Sequence, residues 1–215
     1  MQMKPIVPLP ALAACLLLAG CLGTFSKGQR EAQIQRRLFL PEAVWTGDAI
    51  EKPLFGEVKC RPFHALPPAN SRSFVIRRSG GEATTDYYNG WLTSPEELFG
   101  AQACRFLDKS GLFTRVFDAA SGTVTDLGLD GWITDLYLDY TDPAHPAACV
   151  GLRLSILNER TPDFPVIHTL ERQAKVPFTA GEPTAASQAF SEAFRQVLVE
   201  LVEGLRGAAG AANDK

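Results

Sequence analysis

Three kinds of side chain in this 215-residue sequence could do chemistry: carboxylates on one strand face, scattered imidazoles, and cysteine thiols. Asp135 and Asp139 alternate along the segment Gly131 to Tyr140, and Asp142 follows at once, a set of oxygens of the kind that meets a divalent ion. No glycine-rich ligand loop accompanies them, and a solvated strand face accounts for the same spacing. His64, His145 and His168 lie on separate segments beside loops or strand surfaces, where a surface or capping role fits better than that of a base. There is no phosphate-binding glycine loop, no HExxH and no GxSxG elbow. The residue types therefore point to a non-enzymatic binding module, with no catalytic residue, no metal ligand and no cofactor.

Among the five cysteines, Cys21 stands apart. Leu18-Ala19-Gly20-Cys21 closes a short apolar run, Ala11 to Leu18, that Lys4 precedes as a minimal positive region. The run falls short of the roughly 20 apolar residues a bilayer span needs, and Pro5, Pro8 and Pro10 weaken helix formation at its start. The tetrapeptide resembles the lipobox of bacterial lipoproteins: an aliphatic residue, two small residues, and the cysteine that is diacylated before cleavage. That resemblance implies a lipoprotein signal peptide over 1–20 and palmitate-type acyl chains on Cys21 as the membrane anchor. Each buried methylene contributes about 0.8 kcal/mol, and two or more chains hold a protein stably. Leu22 stands where the inner-membrane retention signal would place Asp, so the implied home is the outer membrane, facing the periplasm.

Removing residues 1–20 moves the formal charge from −3 to −4, since that stretch carries Lys4 and no acid. A mildly acidic chain is not a nucleic-acid binder, which would show a basic face. Of the cysteines left, Cys60, Cys104 and Cys149 allow one disulfide among three pairings, or none, and the odd count leaves at least one thiol free. Export makes oxidation possible, and the spacings are too wide for a zinc motif. Cys60 shares a strand face with Val58, Cys104 lies off the apolar stripe of its helix, and Cys149 lies opposite Val150.

The elements that must position these groups divide the chain. Residues 21–37 are polar and unpatterned, a lipidated flexible tether spanning roughly 20–25 Å as a coil. Residues 38–206 form the folded body and 207–215 a disordered Gly/Ala tail. Short apolar pieces at Leu38-Phe39-Leu40, Phe55 to Cys60 and Ser73 to Arg77, bounded by prolines and Gly80-Gly81, predict strands. Ser94-Pro95-Glu96-Glu97 is a capping box with proline at the first helical position, and Gly111 is a left-handed stop, so a helix covers 95–110 with Leu98, Phe99, Ala103, Phe106 and Leu107 on one stripe. After a brief strand from Leu112 to Phe117 come Gly131 to Tyr140, Ala148 to Asn158, and the more polar Val166 to Val176, whose charges suit an edge. In the first of these, Trp132, Leu136, Leu138 and Tyr140 are expected on one face and Ile133, Asp135, Tyr137 and Asp139 on the other. A final helix runs from Pro183 to Arg206 with Val199 on its exposed side. The expected fold is α+β, a two-layer sandwich of a mainly antiparallel sheet with two amphipathic helices on one face.

Several motifs also occur in a familiar order: Glu57 to Phe63, Phe74 to Arg78, Tyr87-Tyr88-Asn89-Gly90-Trp91 with Ser94 to Leu98, Phe106 to Val116, and Gly131 to Leu138 ahead of a long C-terminal helix. From Arg37 to Arg206 the order resembles the auxiliary lipoprotein family of ABC-type transport systems, which includes the lipoprotein of the Pqi system. The resemblance implies a non-enzymatic accessory of MCE-type lipid transport. Its partners would be an MCE-domain protein with the associated permease and ATPase, and its work to dock them across the envelope. An envelope-assembly scaffold, for secretion or lipopolysaccharide, and a lipid-carrying module are the alternatives. Tyr87, Tyr88 and Trp91 are the candidate partner contacts, with packing as the competing role for Trp91.

Overall fold

The computed structural model describes residues 35–48 and 50–213. The lipobox, Cys21, the signal segment and most of the tether lie outside them.

The longest apolar alternation builds the spine of the sheet. Strand β7 (Leu127–Tyr140) pairs antiparallel with β8 (Ala147–Asn158), from Leu127 opposite Asn158 to Asp139 opposite Ala147. The short turn between them makes the hairpin the sequence pattern predicts. Strand β9 (Val166–Pro177) continues the meander along the far side of β8. One feature inside β7 corrects the expected facing. The ladder shifts register between Ile133 and Asp135, and an extra residue in a strand reverses which side the following residues face. Leu127, Leu129 and Ile133 therefore share the main core with Leu136 and Leu138. Trp132 goes to the other side, where its ring Nε1 donates to Asp130 at 3.1 Å and the ring lies 4.7 Å from that of His64.

The second edge of β7 is tiled end to end by three short strands running parallel to it. Strand β2 (Phe55–Cys60) covers Leu127 to Leu129, β3 (His64–Ala65) covers Trp132 and Ile133, and β4 (Ser73–Arg78) covers Leu138 to Tyr140. Strand β5 (Ala83–Trp91) returns antiparallel on β4, β1 (Arg37–Phe39) lies parallel to β5, and β6 (Phe113–Phe117) lies parallel to β2. The α+β class holds, but the nine-stranded sheet is mixed rather than mainly antiparallel. The reason lies in the connections. Loops rich in proline carry the chain forward along β7 without turning it back, and a crossover returns β6 beside β2. Arg36 and Arg37, placed in the tether by composition, belong to the body: Arg37 opens β1 and Arg36 Nη2 donates to Ser73 Oγ at 2.7 Å.

Helix α1 (Pro95–Ser110) starts and stops as its caps dictate. The Ser94 hydroxyl accepts from the Glu97 backbone N–H at 3.4 Å, Pro95 opens the first turn, and Gly111 ends it at φ 69°. Leu98, Phe99, Ala103, Phe106 and Leu107 are all buried. Helix α2 (Pro183–Asn213) buries Ala186, Phe190, Phe194, Val197, Leu198, Leu201, Val202 and Leu205. It continues through Gly207 and Gly210 to Asn213 instead of giving way to a tail at 207, and Val199 is half-buried against the core rather than exposed. The two helices meet in one core, where Phe99 of α1 lies 4.7 Å from Phe194 of α2, centroid to centroid. A second, small cluster of Val75, Tyr137 and Cys149 is buried apart from that core.

Candidate functional site

The three aromatic candidates separate cleanly. Trp91 is 1% exposed and sits at the centre of an aromatic cluster, 4.7 Å from Phe74, 5.1 Å from Phe190 and 5.4 Å from Phe99. Its role is packing, and the expectation of a partner contact there is corrected. Tyr87 and Tyr88 are 78% and 47% exposed and meet edge to face at 5.2 Å. The Asp86 carboxylate holds this segment by accepting from the Tyr88 and Asn89 backbone N–H groups and from the Asn89 side-chain amide.

Further exposed apolar side chains lie along the β1–β5 ladder and just past its ends. Leu38 and Leu40, on and just past β1, and Leu92 after β5 are each about half exposed. The register places Leu38 opposite Gly90, and the Leu92 N–H donates to the Phe39 carbonyl at 3.0 Å. Gly90 is required by close approach, since any Cβ there would run into the Arg72 carbonyl and the Arg36 guanidinium. Exposed Arg37 and the partly engaged Arg36 and Arg72 give this apolar edge a basic border. Apolar and tyrosine surface with arginine beside it is the composition enriched where proteins meet partners.

The carboxylates do not converge. Asp135 accepts from the Thr134 hydroxyl, Asp142 engages His145 Nδ1 at 2.8 Å, and Asp139 engages Lys175 at 2.7 Å. Among the described residues no group of three or more His, Cys, Asp or Glu could hold a metal ion. The histidines stay apart as well: the His64 ring lies tilted against Trp132, His145 pairs with Asp142, and His168 packs against Gly204 with its buried Nε2 unpartnered. The hydrogen bond from the Lys175 ammonium, with the Thr141 hydroxyl and amide added, holds the Asp139 carboxyl down to about 2, against an ordinary value of 3.8. A carboxyl depressed on folding contributes stability above its unfolded value and loses it as the pH falls through the folded one. Between pH 4 and pH 2, Lys175→Met should therefore lose less stability than the parent chain, measured as urea midpoints across that range. An equal loss in both would show that this pair does not set the acid limb.

The best-formed concavity lies elsewhere, and sequence reasoning missed it. A cavity of about 300 Å³ opens between the end of β2, α1 and the loop after β6, walled by Cys60, Pro62, Phe63, Gly100, Ala101 and Cys104, with Glu96, Glu97, Asp118 and Arg61 at its margin. Cys60 is 2% and Cys104 8% exposed. Cys104 is expected off the apolar stripe; it is buried because that side of α1 lies against the end of β6, where its thiol meets the Phe117 carbonyl, while Gly100 and Ala101 one turn earlier leave the hollow beside it. That run of small side chains was the available signal. The Cys104 thiol donates to the Phe117 carbonyl at 3.4 Å, and Phe117 is the register partner of Lys59, next to Cys60.

The class this geometry defines is an α+β domain with a mixed nine-stranded sheet, an exposed aromatic edge and no assembled catalytic constellation among the described residues. No family model and no curated protein matches the chain. Solved structures share its fold. A DUF330 protein from Xanthomonas campestris superposes with a TM-score of 0.69 at 21% identity, covering 83% of this chain and 99% of its own. A hypothetical protein from Chlamydia trachomatis superposes with a TM-score of 0.51 at 13% identity, covering 73% of this chain and 99% of its own. Among the described residues no helix is long and apolar enough to cross a membrane.

Proposed function

We propose that this chain is an outer-membrane-anchored periplasmic lipoprotein, a non-enzymatic accessory of an ABC/MCE-type lipid transport system that docks partner proteins across the envelope. The observation that carries the reading is Leu18-Ala19-Gly20-Cys21, closing a short apolar run ahead of a polar stretch and a folded body. The order of motifs from Arg37 to Arg206 supports the transport assignment. The exposed Tyr87 and Tyr88 beside Leu38, Leu40 and Leu92 supply a surface of the composition that docking requires. In this reading residues 1–20 are removed, Cys21 carries the acyl chains, and the stretch before Arg36 is the tether.

Cys21→Ser tests the anchor. The variant should fold as the parent does yet leave the membrane fraction for the soluble one, and retention in the membrane would overturn the lipid attachment. Crosslinking probes at positions 87 and 88 in intact cells test the partner. Recovery of an MCE protein or transporter subunit supports the assignment, and recovery of a secretion or lipopolysaccharide assembly component instead replaces it with the scaffold reading.

A further inference from the structure

We propose that Cys60 and Cys104 are a dithiol–disulfide pair that closes across the floor of the apolar cavity when the chain meets a small disulfide oxidant. Two thiols from different elements line one cavity, and both are buried. Each is fixed by backbone: Cys60 by its ladder position opposite Leu129, and Cys104 by its bond to the Phe117 carbonyl across the β2–β6 ladder. Cys149, buried with Val75 and Tyr137 in a separate cluster, is excluded from the pairing. Of the three pairings the residue count allows, one is thus brought together.

The environment orders the two roles. The neighbouring Cys104 thiol, with burial added, pushes the Cys60 thiol up, whereas the neighbouring Cys60 draws Cys104 below the usual thiol range. Cys104 is also the more exposed of the two. As a thiolate it attacks one sulfur of the oxidant RS–SR, forming a mixed disulfide and releasing RS⁻, which takes up the Cys104 proton from solvent. The Cys60 sulfur, losing its proton to water, then attacks the Cys104 sulfur and releases the second RS⁻. The protein gives up two electrons and two protons, and RS–SR leaves as two RSH. The cavity is what makes the first step feasible, since the R group of the mixed disulfide needs room beside a sulfur that is otherwise enclosed.

The closed form ties the end of β2 to α1. Cross-linking positions this far apart in sequence restricts the unfolded chain, so the thermal midpoint should rise by about 5–15 °C on oxidation. The test uses the reduced full-length chain and 2-hydroxyethyl disulfide, followed by alkylation and digestion without reductant. A peptide joining Cys60 to Cys104, with a midpoint rise that dithiothreitol reverses, is the expected result. Recovery of both cysteines separately alkylated, or of either joined to Cys149, overturns the proposal. Cys60→Ala should arrest the reaction as a stable hydroxyethyl adduct on Cys104, and Cys104→Ala should leave Cys60 unmodified. An adduct on Cys60 in the second variant would overturn the order of attack. The parent-chain mapping needs neither variant to fold.

Discussion

Trp91→Ala should lower the unfolding free energy by about 3–5 kcal/mol, the range for truncating a large buried aromatic. The residue is the hub of the cluster: its ring contacts Phe74 of β4, Phe99 of α1 and Phe190 of α2, and Phe74 in turn stacks on Phe39 of β1 at 5.4 Å. One side chain thus joins the edge of the sheet to both helices. Alanine would leave a cavity walled by three rings from separate elements, which can collapse only if the elements themselves move. Tyr87→Ala and Tyr88→Ala, on the same strand but exposed, should stay within about 0.5 kcal/mol of the parent. Urea unfolding of the three variants checks this. A Trp91 variant as stable as the tyrosine ones would mean that the indole is not part of the core.

Gly131→Val should cost about 1–3 kcal/mol by overpacking. Phe63 enters from the loop between β2 and β3 as a wedge between α1 and the sheet, its ring 3.3 Å from where a Cβ on Gly100 would lie and overlapping where one on Gly131 would lie. Two glycines, one on the helix and one on β7, make the slot for this buried ring. A branched side chain at 131 would drive Phe63 out of it. Because the clash involves one partner, the combination Gly131→Val with Phe63→Ala should cost less than the two changes summed, an interaction that a double-mutant cycle reads directly. Strict additivity would show that the strain falls on the backbone of β7 instead.

How much of this could be seen beforehand differs by element. The β7–β8 hairpin, the capped α1 and the stripe of α2 were legible because each is specified by local chemistry: alternation, a hydroxyl cap with proline and glycine, a helical repeat of apolar residues. Strands β2 and β4 were legible as short apolar pieces, but their parallel pairing with β7, and β3 altogether, were not, because these strands are short and their partner lies far along the chain. Strand β5 was missed because Ala83 to Thr85 is exposed with no apolar alternation, and only Asn89, Gly90 and Trp91 at its end are buried. The faces of β7 were misassigned after position 133 because a bulge is invisible to a period-two count. At the surface, Tyr87 and Tyr88 were singled out by residue type, and both are exposed. The opposition of Cys60 and Cys104 emerged only once the β2–β6 ladder and α1 were set against each other.

The arrangement along β7 also carries a consequence for the order in which the chain can acquire its shape. Strands β2, β3 and β4 each take one ladder partner from residues 127–140. During synthesis the first half of the body therefore emerges without the template it needs. The second half is different: β7, β8 and β9 form a local meander, and α2, which packs on β8 and β9, follows directly in sequence. Contacts close in sequence form fastest, and those that close long loops come late. The C-terminal half is thus positioned to assemble first and to recruit the earlier strands onto its open edge, so the segment nearest the N-terminus is the first part made and the last part placed.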